Sequence, residues 1–362
     1  MNETRIVTLA VSMGDPAGIG PEVIAGSWPS ALVPENFRRV VIGRVAVMNR
    51  AIELLELPLV ATPVATVGEA QSCEADRVPV LEIDFADADA VAPGINSSAG
   101  GHAAFLAVEL ATQLALSRQV DAIVTAPLSK KALHQAGHTQ WPGHTEMLAD
   151  LCGVPRTAMM LYLPPRCAAV RSQCGLGVIH TTLHTSMRLA IDSLTRESIL
   201  ETARLATAFA ADMLAAAGEK RAPRIGVAAL NPHAGEEGMF GDEEIRIIAP
   251  AVEAGKKDGL PLTGPLPCDT LMHRAADGEF DCIVAMYHDQ GHIALKLLGL
   301  HQAVNVTLGL PIVRTSVAHG TAYDIAWKGK ARSGSMAEAL LLAGQLANLT
   351  RDHQPSHGRM PV

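Results

Sequence analysis

Short apolar runs, each ending in a polar or glycine-containing segment, recur along the 362 residues of this chain. Ile6–Val11, Val40–Gly43, Asp121–Pro127, Gly177–His184, Arg224–Leu230 and Ile283–Met286 are too short for helices and are predicted as strands. Helices are expected over Ala46–Leu57, Ala99–Arg118, 146–153, 196–217, Asp242–Glu253 and Ser335–Leu349. The run Val304–Val313 is broken by Gly309 and Pro311 and reads as two extended pieces. Residues 61–100 show no strong period and are expected to form short edge strands and loops, and Arg351–Val362 a loose tail. Strands alternating with helices predict an α/β fold whose polar groups collect at strand ends, where open α/β sheets bind ligands.

Composition narrows the class. Hydrophobic residues make up 48% and aromatics 3%, so the core is aliphatic and large enough for one α/β domain or two lobes. A net charge of -8 offers no broad basic surface, which argues against nucleic acid while leaving room for a local basic pocket. The six cysteines form no CxxC pair and are expected to be reduced thiols. The first apolar run is shorter than a signal h-region, and no stretch reaches the roughly 18 residues of a membrane span. A cytoplasmic protein is therefore expected, with no membrane partner.

Chemistry-bearing residues sit at the ends of the predicted strands. Phe280–Gly329 carries His288, Asp289, His292, Lys296, Asn305, Arg314, His319 and Asp324 between apolar runs. Upstream, Ser12–Glu22 is a glycine-rich turn into a helix, with Pro21 suited to the first helical turn. The strand ending at Pro127 delivers Ser129, Lys130 and Lys131. His144-Thr145 opens a helix, with Thr145 as N-cap at a potential anion site. His180 and His184 share a strand face by their spacing, and His233 lies on a loop beside Pro232. Asp242, Glu243 and Glu244 read as acids that stabilise a helix N-terminus, and Asp269 reads equally as a cap or a site residue.

The segments SMGDPAGIGPE, PGHTEMLAD, LNPHAGEEGMFGDEE, HDQGHIALK and NVTLGLPIVRTSVAHGTA occur in order over most of the chain. Together they resemble the 4-hydroxythreonine-4-phosphate dehydrogenase family of vitamin B6 synthesis. The first also resembles the GDGIGPE turn of isopropylmalate and isocitrate dehydrogenases, and His319–Ile325 resembles the HGSAPDI adenine loop of isopropylmalate dehydrogenase. The resemblance implies a two-lobe α/β/α fold with the site in its cleft. The first lobe is expected over 1–125 plus 305–362 on the cofactor side, the second over 126–304 with the metal, the substrate residues and the dimer interface. No GxGxxG occurs, so a dinucleotide must be held in another way.

The resemblance further implies NAD as cofactor and a divalent metal shared across a homodimer interface, with zinc first and magnesium, cobalt or manganese as alternatives. It makes His184, His233 and His288 the metal ligands, and leaves His180 a core histidine. His144, Thr145, Lys296, Asn305 and Arg314 match substrate-binding positions. His319, Gly320, Thr321, Ala322 and Asp324 match cofactor-binding positions, with helix capping as the alternative for Asp324. Lys296 and Asp269 are the candidate catalytic groups. The reaction so implied is oxidation and decarboxylation of a 4-phosphorylated β-hydroxy acid such as 4-hydroxythreonine 4-phosphate. His292 is a residue that sugar-acid and dihydrodiol branches commonly carry where the B6 enzymes have an apolar one. D-threonate or D-erythronate 4-phosphate dehydrogenation and cis-dihydrodiol dehydrogenation are thus the alternatives within the family. A metal-dependent hydrolase or aldolase without nicotinamide, and a binding protein without turnover, are alternatives of other classes.

Overall fold

A computed structural model describes residues 5–352, with side chains described through residue 349. The tail expected from Arg351 onward lies outside the residues whose side chains are described. Contacts divide the chain into two compact units, the first extending to Thr157 and resuming over Leu310–Asn348, the second spanning Ala158–Gly309. These boundaries, 157/158 and 309/310, stand in place of the 125/126 and 304/305 expected from the resemblance.

The first unit opens with β1 (Val7–Ser12), α1 (Gly20–Ser27), β2 (Phe37–Gly43), α2 (Val45–Leu54), β3 (Val60–Pro63), α3 (Val67–Gln71) and β4 (Arg77–Glu82). It continues through α4 (Ser98–Leu116), β5 (Ala122–Thr125), α5 (Lys130–Gln135) and α6 (His144–Leu151). The apolar residues of β1 and β5 are fully buried, which is why their sequences run without alternation. Alanines of α4 such as Ala103, Ala107 and Ala111 let that helix pack closely in a core that includes Ala10, Val40, Ile42 and Ile123. The weakly patterned stretch after residue 60 does form strands, of which β3 is the edge while β4 lies inside the sheet, paired with both β2 and β3.

The second unit contains β6 (Ala158–Leu163), β7 (Leu176–His180), α7 (Met187–Asp192), α8 (Arg196–Ala216), β8 (Ile225–Ala228), α9 (Ala249–Lys257) and β9 (Leu262–Leu266). Next come α10 (Cys268–Ala276), β10 (Cys282–Ala285), α11 (His288–Gly299) and β11 (Val304–Leu308). Its strand order is β11-β6-β7-β10-β8-β9. β6 is antiparallel to both β11 and β7, whereas β10 runs parallel to β7 and β8. β6 and β9 are strands that the hydrophobic pattern does not announce, since the AMMLYL sequence of β6 lacks β-branched residues and Gly264 and Pro265 interrupt β9.

The chain then returns to the first unit as β12 (Val313–Val317) and α12 (Gly334–Asp352). The two extended pieces expected on either side of Gly309 and Pro311 are thus β11 and β12, and they belong to different units. The first unit's strand order is β3-β4-β2-β1-β5-β12, and all its pairings are parallel. The α/β class predicted from the sequence is the class observed. Among the described residues no helix is long and apolar enough to cross a membrane.

Candidate active site

In the second unit, β7 and β10 lie side by side with His180 opposite Ala285 and deliver a cluster of imidazoles at their carboxyl ends. The strand expected to reach His184 stops at His180. Thr181 and Thr182 still donate their backbone N–H groups to Ala285 and Met286, and the chain then turns away. His180 is buried, whereas His184 lies exposed on the turn, so the two do not share a strand face. His180 Nδ1 donates to the Met159 carbonyl at 3.2 Å, which leaves Nε2 as the acceptor for His292 Nδ1 at 3.0 Å. Burial, reinforced by neighbouring histidines, pushes His180 down to about 4 and His292 to about 2, so both imidazoles are neutral.

His288 begins α11, with His292 and Lys296 following at four-residue intervals along one face. The rings of His288 and His292 stack at 3.8 Å between centroids, and those of His184 and His288 lie 5.7 Å apart. His288 Nδ1 faces Asp289 Oδ1 at 2.7 Å, which fixes the proton there and leaves Nε2 for a ligand, the arrangement that metal-binding imidazoles favour. His233 stands elsewhere on the unit's surface, its ring 6.4 Å from that of Phe240. Among the described residues no group of three or more His, Cys, Asp or Glu side chains within one chain is gathered to hold an ion. In donor type His184, His233 and His288 nevertheless fit a borderline divalent metal, and His288 carries the carboxylate partner such a site uses.

The loop bearing His233 has an unusual backbone. His233, Ala234, Gly235, Glu236 and Glu237 all have positive φ, a left-handed turn that costs L-residues about 1 kcal/mol or more each. Beside this turn lies Glu244, an acid expected from its position to stabilise a helix N-terminus. The buried Glu244 carboxylate instead reaches back to accept the N–H groups of Leu230 at 2.7 Å and Asn231 at 2.8 Å, and Asn231 Nδ2 at 2.9 Å. The remaining residues expected to act here are dispersed. Asn305, on β11, has a buried Oδ1 without a hydrogen-bond partner among the described residues. Asp269 is exposed in the first turn of α10, where its Oδ1 accepts the Thr270 N–H.

The first unit brings two cationic side chains to the start of α6. Arg314, on β12, is almost completely buried beside β5, and its Nη2 donates to Thr125 Oγ1 at 2.6 Å. Burial lowers its guanidinium to about 9. Burial, then the charges of Arg314 and Lys130, push His144 well below the usual imidazole range. Lys130 opens α5 behind its N-cap Ser129 and lies along Gly143, where a Cβ would stand 3.2 Å from Lys130 Cε. The N-cap of α6 is Gly143, so Thr145 falls inside the first turn rather than at the cap. His144 Nε2 is buried with no partner among the described residues. A helix N-terminus, a guanidinium and an ammonium thus converge in one unit, as an anion requires.

The glycine-rich turn and the His319–Asp324 loop, far apart in sequence, are packed together in this unit. Ile19 N–H donates to the Thr321 carbonyl at 3.0 Å, and a Cβ on Gly18 would meet Thr321 at 3.0 Å. Tyr323 donates its hydroxyl to Asp15 Oδ2 at 2.5 Å, and Glu22 accepts the N–H groups of Trp327 and Gly329. Ala322 takes a positive φ, and the residues after it form turns rather than a helix. Asp324 is exposed, and its carboxylate caps nothing among the described residues. The Asp15–Tyr323 and Glu22–Trp327 ties went unread because each joins residues about 300 positions apart, without a local pattern.

The model of the pyridoxal phosphate biosynthetic protein PdxA family matches residues 35–343. D-threonate 4-phosphate dehydrogenase of Pectobacterium atrosepticum is 44% identical, over 94% of this chain and 99% of its own. 4-Hydroxythreonine-4-phosphate dehydrogenase of Geobacter metallireducens is also 44% identical, over 94% of this chain and 96% of its own. A 4-hydroxythreonine-4-phosphate dehydrogenase from Klebsiella pneumoniae, solved by crystallography, superposes with a TM-score of 0.79 at 44% identity, over 96% of this chain and 99% of its own. These relatives are all named dehydrogenases, which supports an oxidoreductase. A match over most of the chain, with relatives at this identity along nearly their whole length, means that the chain belongs to the PdxA family of pyridoxal phosphate biosynthetic proteins.

Proposed function

We propose that this protein is an NAD-dependent, metal-dependent dehydrogenase that oxidises and decarboxylates a 4-phosphorylated β-hydroxy acid. 4-Hydroxythreonine 4-phosphate is the first substrate to consider, and D-threonate or D-erythronate 4-phosphate the second. The observation that carries this reading is the cluster of Arg314, Lys130 and His144 at the first turn of α6, whose two cations suit a phosphate. All three of these acids end in that group. The second substrate is favoured by His292, which brings a polar imidazole against His288.

His184, His233 and His288 would hold the metal, zinc first, with members drawn from two subunits of a homodimer. When bound, the metal supplies a Lewis acid and NAD a hydride acceptor, the two functions that oxidation of a secondary alcohol needs. Lys296 stands two helical turns beyond His288 on the same face of α11, where it holds the substrate and exchanges the proton at its hydroxyl oxygen. Asp269 is the second candidate for proton exchange. Asn305 Oδ1 is an unused acceptor for a substrate N–H or O–H group. Asp324, free of capping duty, accepts the adenosine ribose hydroxyls, and His319–Ala322 shape that loop. Oxidation yields a β-keto acid, which loses CO2.

Support for a homodimer comes from large apolar side chains exposed on the second unit, among them Met187, Leu189, Met239, Phe240, Ile293 and Leu297. They flank His184, His233 and His288 in sequence. The test is NADH formation with 4-hydroxythreonine, D-threonate and D-erythronate 4-phosphates beside their unphosphorylated parents. Turnover confined to the phosphorylated acids is expected, and exclusive turnover of a neutral alcohol would overturn the reading.

A further inference from the structure

The segment from Leu230 to Ile248 contains a buried carboxylate whose partners are all donors on the chain that leads into a strained loop. Glu244 is 3% exposed and forms no ion pair among the described residues, so its charge is met only by N–H groups. Two come from the backbone where the chain leaves β8, at Leu230 and Asn231, and one from the Asn231 side chain. Glu243 Oε2 accepts the other Asn231 amide hydrogen at 2.6 Å. The left-handed turn begins two residues later at His233 and closes over the same carboxylate, since a Cβ on Gly235 would stand 2.7 Å from Glu244 Oε2. Glu244 opens a π-helical turn, Glu244–Ile248, which widens the helix start at this point.

We propose that Glu244 is a positioning residue for His233: it anchors Asn231 and the strand end so that the left-handed turn holds the imidazole ready for metal. The inference rests on the assignment of His233 as a metal ligand. Backbone with five consecutive positive-φ residues persists only where its surroundings over-determine it. A carboxylate accepting three N–H groups does so, whereas a carboxamide presents an N–H to at least one donor. The device acts on the loop as a whole and needs no contact between Glu244 and the His233 ring.

The test is Zn2+ affinity of the full-length, metal-stripped protein, measured by competition with a chromophoric chelator, for Glu244→Gln, Asn231→Ala, His233→Ala and Asp242→Asn. Glu244→Gln is expected to keep its circular dichroism and bind Zn2+ about tenfold or more weakly, on the scale of lost outer-sphere support. Its turnover should recover as Zn2+ is raised while its circular dichroism stays parental throughout, whereas a merely destabilised protein would regain its dichroism along with its turnover. Asn231→Ala should lose a smaller factor in the same direction. Asp242→Asn, which alters only an exposed pair with Arg246, should match the parent. Unchanged Zn2+ affinity in a folded Glu244→Gln, with His233→Ala impaired, overturns this inference and leaves the ligand assignment standing. Unchanged affinity in His233→Ala overturns the assignment and the inference together. If Glu244→Gln does not fold, Asn231→Ala decides, weakened binding supporting the proposal and parental binding overturning it.

Discussion

A single side chain sets the expected cofactor preference. Asp324 had two readings from its sequence, a helix cap or a partner of the adenosine ribose. The turns that follow it and the absence of a helix remove the first, leaving an exposed carboxylate on a loop tied down through Thr321, Tyr323 and Trp327. A carboxylate accepts hydrogen bonds from two ribose hydroxyls but repels a 2′-phosphate. NAD is therefore expected to be preferred to NADP, and Asp324→Lys to shift the ratio of the two kcat/KM values toward NADP by about 2 kcal/mol. An unchanged ratio in the variant, or a parental preference for NADP, would show that the ribose is held elsewhere.

At the scale of elements, the hydrophobic pattern disclosed most strands because each is a short buried run, and it placed the imidazoles at strand ends for the same reason. It missed β6, which methionine and leucine fill without β-branching. It also misread where β7 ends, because Thr181 and Thr182 have strand propensity although the chain turns there. The role of Glu244 was illegible because an acid at a helix start has an ordinary electrostatic explanation, and only the fold shows its carboxylate turned back toward Asn231. The pairing of β7 with α11 carries its own pH dependence. His180 has a folded pKa of about 4 against about 6.5 when unfolded, so between these values the unfolded chain binds more protons. His180 therefore favours folding fully above about pH 6.5, loses that contribution progressively down to about pH 4, and changes no further below it. The loss amounts to about 3 kcal/mol at the slope set by one proton. Urea denaturation of metal-stripped His180→Gln, which cannot take up that proton, should show a deficit relative to the parent that shrinks from pH 7 to pH 4.5. A deficit independent of pH would mean that His180 is protonated within the folded protein.

His184, His233 and His288 have the chemistry to share one ion, yet a single chain does not gather them. His184 and His288 approach each other at the ends of β7 and β10, while His233 is held on its own loop beside Phe240. An ion shared by two subunits would reconcile donors so placed with a three-histidine site, and the exposed apolar side chains of the second unit supply a reason for two copies to associate. Shared ligation makes a prediction that a site within one chain does not. If His288 serves a site whose other ligands come from the partner, His233→Ala and His288→Ala are each inactive alone. A heterodimer of the two, however, places both altered residues at one site and leaves the second intact. Mixing the variants under conditions that exchange subunits should then restore activity, approaching one quarter of the parental value for random equal mixing, since half the dimers would carry one intact site. If all ligands of a site came from one chain, every site in the mixture would lack one histidine and no activity would return. Mass spectrometry of differently tagged subunits confirms exchange, and exchange without recovered turnover would assign each site to a single chain.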